Sequence, residues 1–509
     1  MRTYLTALIC AVALLASLPG ASQAAEAKKK TLRIDFVDAS GKALIVKQVP
    51  ELICRDLNDE PVITEIDQQD GFAIVTLSNR PVEFSARIAT PGFGEVAIFA
   101  DNEGKGYTSA GKIDFATECA ATRLFRVRAA LKQATADGVT IPDGFAERLL
   151  KASVAKPWQS LAETLALGEE LTLLRARHRI AQYKGPREGF LFGCNVFGYP
   201  ARGPVYQERF QQLFNYGTAN LYLSGYAKDE NTLNFERADS EIAKLHSWGM
   251  TAKPCPPYYL AASVVPEWMK QEQWPDINTT CYDLVSQSAK HFAGKVPFCE
   301  ITNEATMSNG LKLTTAQILE YTRTSSTATR DGDPNIQRII NSAHLWGDYA
   351  AKPDKEGRPR LSPYGYLRGC IATKIPFEIT GLQMYYPEFD LFEIDRMLEK
   401  YAKLGKPIHI TEMGCSSIDG IDPNSQRKKS AAGWHGPWTE DMQADWVEGV
   451  YTLFYSKPYI KAVSWWDLAD AVSFWPSGGF LRGDCSPKPS FTRLKALQEK
   501  WGYHFGPKK

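Results

Sequence analysis

The sequence lacks the features by which most nucleic-acid-binding, nucleotide-binding and metal-dependent proteins are identified. Its 59 basic and 58 acidic side chains give a net charge of +1 and form no long run of either sign, so no field attracts nucleic acid or an anionic membrane. No CxxC, HExxH or Cys/His cluster predicts a zinc site, and we expect no metal and no cofactor. No GxGxxG or GxxxxGK[ST] follows the first strand of the strand–helix region, which argues against a nucleotide-binding open sheet. We therefore expect a neutral partner.

A long apolar run occurs only near the N-terminus. The basic start, the apolar run over residues 5–18 and the small residues around Ala24 predict a secretory signal peptide, residues 1–24, and a secreted or periplasmic protein. A transmembrane anchor is the alternative, but the run is shorter than the roughly 20 residues that a membrane span needs. Loss of Cys10 with this segment leaves nine cysteines, for which we expect buried thiols and one or two disulfides.

Hydrophobic periodicity divides the remaining chain into three regions. Residues 30–112 contain short alternating runs separated by Gly, Pro, Asn and Asp, which is typical of a small antiparallel β-sandwich. Residues 113–185 change to a helical period and predict a helical connector packed on one neighbour. Residues 186–509 alternate predicted strands with helices to the end of the sequence.

Eight predicted strands lie in this last region: GFLFGCNVF, TANLYLS, MTAKPCP, FCEITNEA, QRIINSAH, ITGLQMYY, IHITEMG and KAVSWWDL. Eight strand–helix units over about 320 residues are typical of an α/β protein with a (β/α)₈ barrel, whose active site lies at the C-terminal ends of its strands. Two strands finish on a glutamate, Glu304 and Glu412. We expect these carboxylates to face each other across the barrel mouth.

Paired carboxylates of this kind suit hydrolysis of a glycosidic bond. One group protonates the leaving oxygen while the other attacks the anomeric carbon, and a separation near 5 Å gives retention of configuration. Like charges so close raise one of the two pKa values. Aromatic side chains at the same strand ends suit either stacking on sugar rings or core packing; they are Tyr258, Tyr259, Tyr385, Tyr386, Trp465, Trp466, Phe474 and Trp475.

Residues 189–501 resemble glycoside hydrolase family 10, the retaining endo-β-1,4-xylanases. FLFGCNVF is similar to the opening strand of that family, PEWM to a motif after the third strand, ITNEA to the acid/base strand and GLQMYY to the sixth strand. IHITEMG resembles the nucleophile strand, and WWDLADAVSFW with the later KP resembles the eighth strand and its continuation. The order of these motifs over some 310 residues carries the resemblance.

The resemblance implies a role for several side chains. Glu304 would be the acid/base, Glu412 the nucleophile, Asn303 the partner of a sugar 2-hydroxyl and Gln383 a contact beside the nucleophile. His409 would lie inside the barrel, either in contact with substrate or as a satisfied core histidine.

Other positions depart from the family pattern and predict an altered sugar-binding pocket. The second strand keeps Asn220 but has Ala219 and Leu223 in place of the usual Glu and Lys. Cys255 and Tyr259 stand where the third strand carries His and Trp, and Tyr385 replaces a sixth-strand His. The acid/base strand has Cys299–Glu300 instead of Trp-Asp. We expect substrate contacts from Asn220, Cys255, Tyr259, Tyr385 and Trp466.

The favoured interpretation is a secreted, monomeric, retaining endo-β-glycosidase acting on a polysaccharide, with xylan as the substrate that the resemblance implies. Another β-linked plant or algal polysaccharide is an alternative because the pocket is altered. A non-catalytic carbohydrate-binding protein is a second alternative, opposed by the intact glutamate pair. The β-rich region is a structural partner of the barrel or a polysaccharide-binding module; its few aromatic residues occupy apolar alternating positions, which favours the structural role.

Overall fold

The computed structural model describes residues 29–230, 232–385, 388–425, 433–470 and 475–507. The predicted signal peptide, Tyr386 and Phe474 lie outside these residues. Within the described ranges, none of the helices combines the length and the apolar character that crossing a membrane would require.

Seven short strands form two sheets at the start of the described chain. Strands β1, β3, β4 and β7 make one sheet in the order β3-β4-β1-β7, and β2, β5 and β6 make the other. Their bounds are β1 Thr31–Asp35, β2 Leu52–Asp56, β3 Ile66–Gln69, β4 Phe72–Thr76, β5 Val82–Thr90, β6 Gly94–Ala100 and β7 Gly111–Asp114. Ile34, Val75, Phe84 and Ile98 from both sheets meet in one apolar core. Pairing is antiparallel except between β1 and β7, which run parallel, unlike the all-antiparallel expectation.

Three helices follow: α1 Phe115–Ala136, α2 Phe145–Val154 and α3 Pro157–Ala181. Leu161 and Leu165 of α3 complete the core of the small sheets. Leu167 and Leu171, further along α3, pack with Phe392 of the C-terminal region. The helical segment is therefore packed between two neighbours, not on one, because α3 is long enough to present apolar residues to both.

The C-terminal region forms an eight-stranded parallel barrel, which confirms the predicted fold class. The strand order is β10-β9-β8-β15-β14-β13-β12-β11. The strands are β8 Leu191–Asn195, β9 Tyr216–Ala219, β10 Thr251–Pro254, β11 Phe298–Asn303, β12 Gln337–Ser342, β13 Ile379–Met384, β14 Ile408–Met413 and β15 Ile460–Trp465. The helices are α4 Tyr199–Leu213, α5 Leu223–Tyr226, α6 Glu236–Ser247, α7 Trp274–His291, α8 Thr315–Gly332, α9 Pro363–Ala372, α10 Leu391–Ala402, α11 Glu440–Tyr455 and α12 Pro489–Lys500.

A buried ion pair spans the seam between the two end strands of this order. Lys253 of β10 is paired with Glu300 of β11, and both side chains are almost fully excluded from solvent. Burial lowers the pKa of Lys253, but the charge and hydrogen bond of Glu300, together with Tyr216 and Cys255, raise the pKa overall. The ammonium group is therefore charged inside the barrel.

All nine cysteines in the described ranges, Cys54 to Cys485, are buried and unbridged. The expected disulfides are therefore not formed among them. Burial raises the pKa of most of these thiols, for example Cys194 and Cys281, which keeps them protonated and unreactive.

Candidate active site

Glu304 stands at the point where β11 gives way to a turn at the barrel mouth. Its N–H still donates to the carbonyl of Asn341 on β12 at 3.0 Å, while its own carbonyl accepts from Met307 and Ser308 at 2.8 Å each. Its φ of +51° lies in the left-handed region, which costs a non-glycine residue roughly 1–2 kcal/mol. Strain of this kind is concentrated at functional sites. The half-buried carboxylate accepts a hydrogen bond from Tyr259 at 2.7 Å and another from Ser308.

Glu412 lies near the end of β14 and is held by three neutral donors. Oε1 accepts from Asn341 Nδ2 at 3.2 Å and from Gln383 Nε2 at 3.0 Å. Oε2 accepts from the Tyr385 hydroxyl at 3.1 Å. Donors on both oxygens favour the ionised carboxylate and fix its plane.

Asn341 contacts both glutamates, since its carbonyl accepts from the Glu304 N–H and its side-chain amide donates to Glu412. Asn303 is paired with Asn341 across β11 and β12, and its Oδ1 accepts from Asn341 Nδ2 and Gln383 Nε2, both at 3.0 Å. Thr411 in turn donates to Asn341 Oδ1 at 2.5 Å. With its oxygen occupied by two donors, the Asn303 amide nitrogen is the atom left to meet a ligand.

Asn341 is a site residue that sequence reasoning missed. It ends the apolar part of β12 just as Asn303 ends β11. Polar residues at strand ends are expected at the barrel mouth, and the same expectation applied to RIINS would have identified Asn341. Its close approach to Thr411 depends on Gly381 between them. A Cβ at Gly381 would lie 3.1 Å from the Asn341 Cα and 3.0 Å from the Thr411 Cγ2, closer than ordinary van der Waals contact.

Several groups around Glu412 act in opposite directions on its pKa. Burial raises its pKa well above the ordinary value, and the charges of Glu304 and Glu300 raise it further. The charge of Lys253 and the hydrogen bond from Tyr385 lower the pKa. Burial and the neighbouring carboxylates therefore favour the protonated form of Glu412 in the substrate-free protein.

Two predicted tyrosines contact the carboxylates directly, and other aromatic rings continue from them around the mouth. Tyr259 touches Glu304 and Tyr385 touches Glu412, as described above. Tyr222 lies 6.3 Å from the Tyr259 ring, Phe197 lies 6.1 Å from Tyr222, and Trp466 lies 5.7 Å from Phe197. Tyr222, Phe197 and Trp466 are half-buried. Tyr222 and Phe197 were not predicted as site residues.

Three other predicted residues lie deeper or make different contacts. Cys255 is 2% exposed and belongs to the barrel core, so its thiol is packed away from solvent. His409 is 3% exposed and packs edge-on against Phe298 at 5.0 Å, where burial lowers its pKa to about 3. The core-histidine alternative accounts for the packing of His409, whose Nδ1 has no hydrogen-bond partner among the described residues. The substrate contacts expected of Cys255 and His409 stay predictions. Asn220 is half-buried after β9, and its Oδ1 accepts from the Tyr222 N–H at 3.4 Å.

We predict that Tyr385→Phe moves the acid limb of the pH–rate profile to higher pH. The tyrosine hydroxyl stabilises ionised Glu412, so its loss raises the pKa of a group that must be deprotonated to react. A hydrogen bond to a charged group contributes roughly 1.5–3 kcal/mol, which corresponds to about a 10- to 100-fold loss in kcat/KM. The measurement is kcat/KM on an aryl glycoside from pH 4 to 9, with Tyr364→Phe on α9 as the control. An unmoved acid limb would contradict this role of Tyr385.

In the part of the chain that the structure describes, no three His, Cys, Asp or Glu side chains are grouped so as to hold a metal ion. The arrangement offers two carboxylates, amide donors and hydroxyl groups. Such groups perform acid–base and nucleophilic chemistry on an uncharged ligand.

The family model described as glycosyl hydrolase family 10 matches residues 188–496. Endo-1,4-beta-xylanase B of Thermotoga neapolitana is 22% identical over 253 residues, which are 46% of this chain and 66% of that protein. Endo-1,4-beta-xylanase of Geobacillus stearothermophilus is 27% identical over 237 residues, 41% of this chain and 65% of that protein. The chain thus matches slightly less than two thirds of the length of these relatives.

The solved structures that are similar to this chain include two xylanases. Xylanase 10B from Thermotoga petrophila, solved with xylobiose, superposes with a TM-score of 0.48 at 19% identity and covers 63% of this chain and 99% of its own. Native xylanase10C from Cellvibrio japonicus gives a TM-score of 0.49 at 18% identity, over 64% of this chain and 73% of that chain.

Proposed function

Because the chain belongs to glycosyl hydrolase family 10, we propose that it is a secreted, retaining endo-β-glycosidase and that its substrate is a β-1,4-linked xylan. The observation that carries the proposal is the pair of glutamates at the ends of β11 and β14: Tyr259 and Ser308 donate to the Glu304 carboxylate, and Asn341, Gln383 and Tyr385 donate to that of Glu412. Two relatives named as endo-1,4-beta-xylanases support the substrate.

In the first step Glu412 attacks the anomeric carbon while Glu304 protonates the leaving oxygen. The bond from the anomeric carbon to that oxygen breaks, an ester to Glu412 forms, and the leaving sugar departs with the proton of Glu304. Glu412 must be ionised to attack, and its three donors suit that state. Glu304, closer to solvent at the mouth, supplies the proton to the leaving oxygen.

In the second step Glu304 takes a proton from water, which attacks the anomeric carbon and releases Glu412. Two inversions give net retention, and Glu304 is again protonated. The Asn303 amide, oriented by Asn341 and Gln383, donates to the sugar hydroxyl next to the anomeric carbon, a contact that strengthens in the transition state. Tyr222, Phe197 and Trp466 provide apolar faces for neighbouring sugar rings.

We expect the protein to release reducing sugars from β-1,4-xylan as a ladder of oligosaccharides, since the rings of Tyr222, Phe197 and Trp466 continue beyond the catalytic pair and suit binding along a polymer. The test is a panel of insoluble and soluble β-glycans, with products separated by size and the wild type compared with Glu412→Gln. If the protein hydrolyses a different β-glycan and no xylan, that polymer is its substrate and the xylan proposal is wrong. Binding without new reducing ends on every polymer would instead favour a non-catalytic carbohydrate-binding protein.

Secretion rests on the basic and apolar start of the sequence, residues 1–24. Expression of the full chain in a bacterial host, followed by N-terminal sequencing of the periplasmic fraction, tests it. A mature N-terminus close to residue 25 is expected, and retention of Met1 in the cytoplasm would exclude the signal peptide.

A further inference from the structure

Residues before 185 reach the catalytic face of the barrel at three of its loops. Arg55 of β2 donates to the carbonyl of Trp346 at 2.7 Å and pairs with Asp348, both in the segment after β12. The N–H of Ala97 in β6 donates to the carbonyl of Glu388, after β13, at 2.9 Å. These contacts lie at the C-terminal ends of the strands, where the candidate active site is.

The segment after β14 is held in the same way. Glu169 of α3 accepts from the Trp434 indole at 3.0 Å and contacts the His435 ring nitrogen at 2.5 Å. Phe93, in the turn between β5 and β6, packs on the His435 ring at 4.3 Å between ring centres. The loops after β12 and β13 are also joined to each other, because Trp346 and Phe389 stack at 3.6 Å.

The strongest of these contacts is a buried arginine beside the β13 loop. Arg123 of α1 pairs with Asp390 at 2.6 Å and with Glu393 at 2.9 Å, and all three side chains are at most 5% exposed. Asp390 caps α10 by accepting from the N–H groups of Phe392 and Glu393. Arg123 therefore fixes the start of α10, five residues beyond Tyr385.

The packing of α3 against α1 leaves space for the guanidinium group of Arg123. A Cβ at Gly168 of α3 would lie 2.7 Å from Arg123 Nη2, so only glycine lets α3 approach this closely. Glu169, the next residue, accepts from the N–H of Leu391 at 2.9 Å. Helices α1 and α3 thus hold the backbone of residues 390–393 from two sides.

We infer that the N-terminal sheets and helices belong to the catalytic unit, and that Arg123 is a positioning residue that holds the start of α10 so that Tyr385 reaches Glu412. The inference rests on the proposed function for the role of Tyr385 and Glu412. It assigns residues 30–185 a structural part in catalysis instead of an independent polysaccharide-binding function. A buried cation facing two buried carboxylates does not act as a flexible tether, because separating them would break the buried ion pair between Arg123 and Asp390.

The test uses full-length Arg123→Met, Arg123→Lys and Gly168→Ala, with Arg148→Met as the matched control. Arg148 joins α2 to α3 through Glu163 and Glu170, both at 2.7 Å, and has no ion pair with a barrel loop among the described residues.

Rates are expressed per active site by titration with a fluorinated mechanism-based inhibitor. We expect Arg123→Met to lower kcat about tenfold with KM changed less than threefold, since misplacing a catalytic contact acts on the transition state. Arg123→Lys should recover most of the loss.

The pH profile distinguishes positioning from a general loss of stability. Arg123→Met and Gly168→Ala should move the acid limb in the same direction as Tyr385→Phe, and Arg123→Met should add no further shift in a Tyr385→Phe background. Normal kcat per active site and an unmoved acid limb in both variants would overturn the inference, whatever happens to thermal stability.

Hydrogen exchange of peptides covering residues 379–396 gives a readout that needs no activity. Exchange should rise there in Arg123→Met and stay unchanged in Arg148→Met. Unchanged exchange in both would also overturn the inference. An inactive wild type that shows this exchange pattern would contradict the proposed function while supporting the positioning contact.

Discussion

Replacing Glu412 by alanine is expected to lower kcat by roughly 10⁴- to 10⁶-fold on every substrate, because without the nucleophile no glycosyl ester can form. Azide, which fits the space left by the carboxylate, should restore turnover and give a product of inverted configuration, since only one displacement then occurs. The assay is aryl glycoside hydrolysis with and without azide, and the configuration of the sugar azide is read by NMR.

Glu412→Gln separates chemistry from folding in this prediction. The glutamine oxygen can still accept from Asn341 and Gln383, and its amide can donate to the Tyr385 oxygen, so the network persists. The variant should unfold within a few degrees of the wild type while remaining inactive. Glu378→Gln, just before β13 at the opposite end of the barrel and paired with Arg338, is the matched control and should stay active. Wild-type activity in either Glu412 variant would remove the assignment.

Replacing Glu304 by alanine is expected to affect natural and activated substrates differently. Protonation of a sugar leaving group contributes roughly 10²- to 10⁴-fold in rate, so hydrolysis of polysaccharide should fall by about that factor. A dinitrophenyl leaving group needs little protonation, so the first step should survive and the second should become slow. We expect a burst of dinitrophenol followed by a low steady state, with azide restoring turnover at retained configuration.

Two substitutions of Glu304 separate the loss of its carboxyl group from the strain of its left-handed backbone. Glu304→Ala keeps the Cβ in the left-handed conformation, whereas Glu304→Gly removes that strain, so the glycine variant should be about 1 kcal/mol more stable than the alanine variant. Both should show the same burst, because neither has the carboxyl group. A burst in Glu412→Ala and none in Glu304→Ala would mean that the two roles are exchanged.

The position of the main site residues could be predicted because parallel strands in a barrel end at one face. Apolar runs that finish on Glu304 and Glu412 therefore place both carboxylates at the mouth, together with Asn303 and Gln383. The tyrosines that replace family residues, Tyr259 and Tyr385, follow from the same rule. A strand end is a local property, and sequence patterns report local properties well.

Contacts between distant segments could not be predicted in this way. Lys253 stands in an ordinary polar-looking stretch, TAKPCP, and its burial depends on Glu300 across the barrel seam. His409 and Cys255 lie on the same strands as site residues, but the packing inside the barrel covers them. Arg123 and Asp390 are separated by 267 residues, so neither periodicity nor motif spacing indicates that the helical segment meets the catalytic face.

The assignment of Glu412 as the nucleophile and Glu304 as the acid/base is tested most directly by trapping the covalent intermediate. A dinitrophenyl 2-deoxy-2-fluoro-β-xylobioside has a good leaving group, which favours the first step, and a fluorine that slows hydrolysis of the ester. Mass spectrometry of the intact protein should show one added fluoroxylobiosyl group, and digestion should place it on the peptide that contains Glu412. A label on Glu304, on another residue, or no label from an enzyme that turns over xylan would contradict the account.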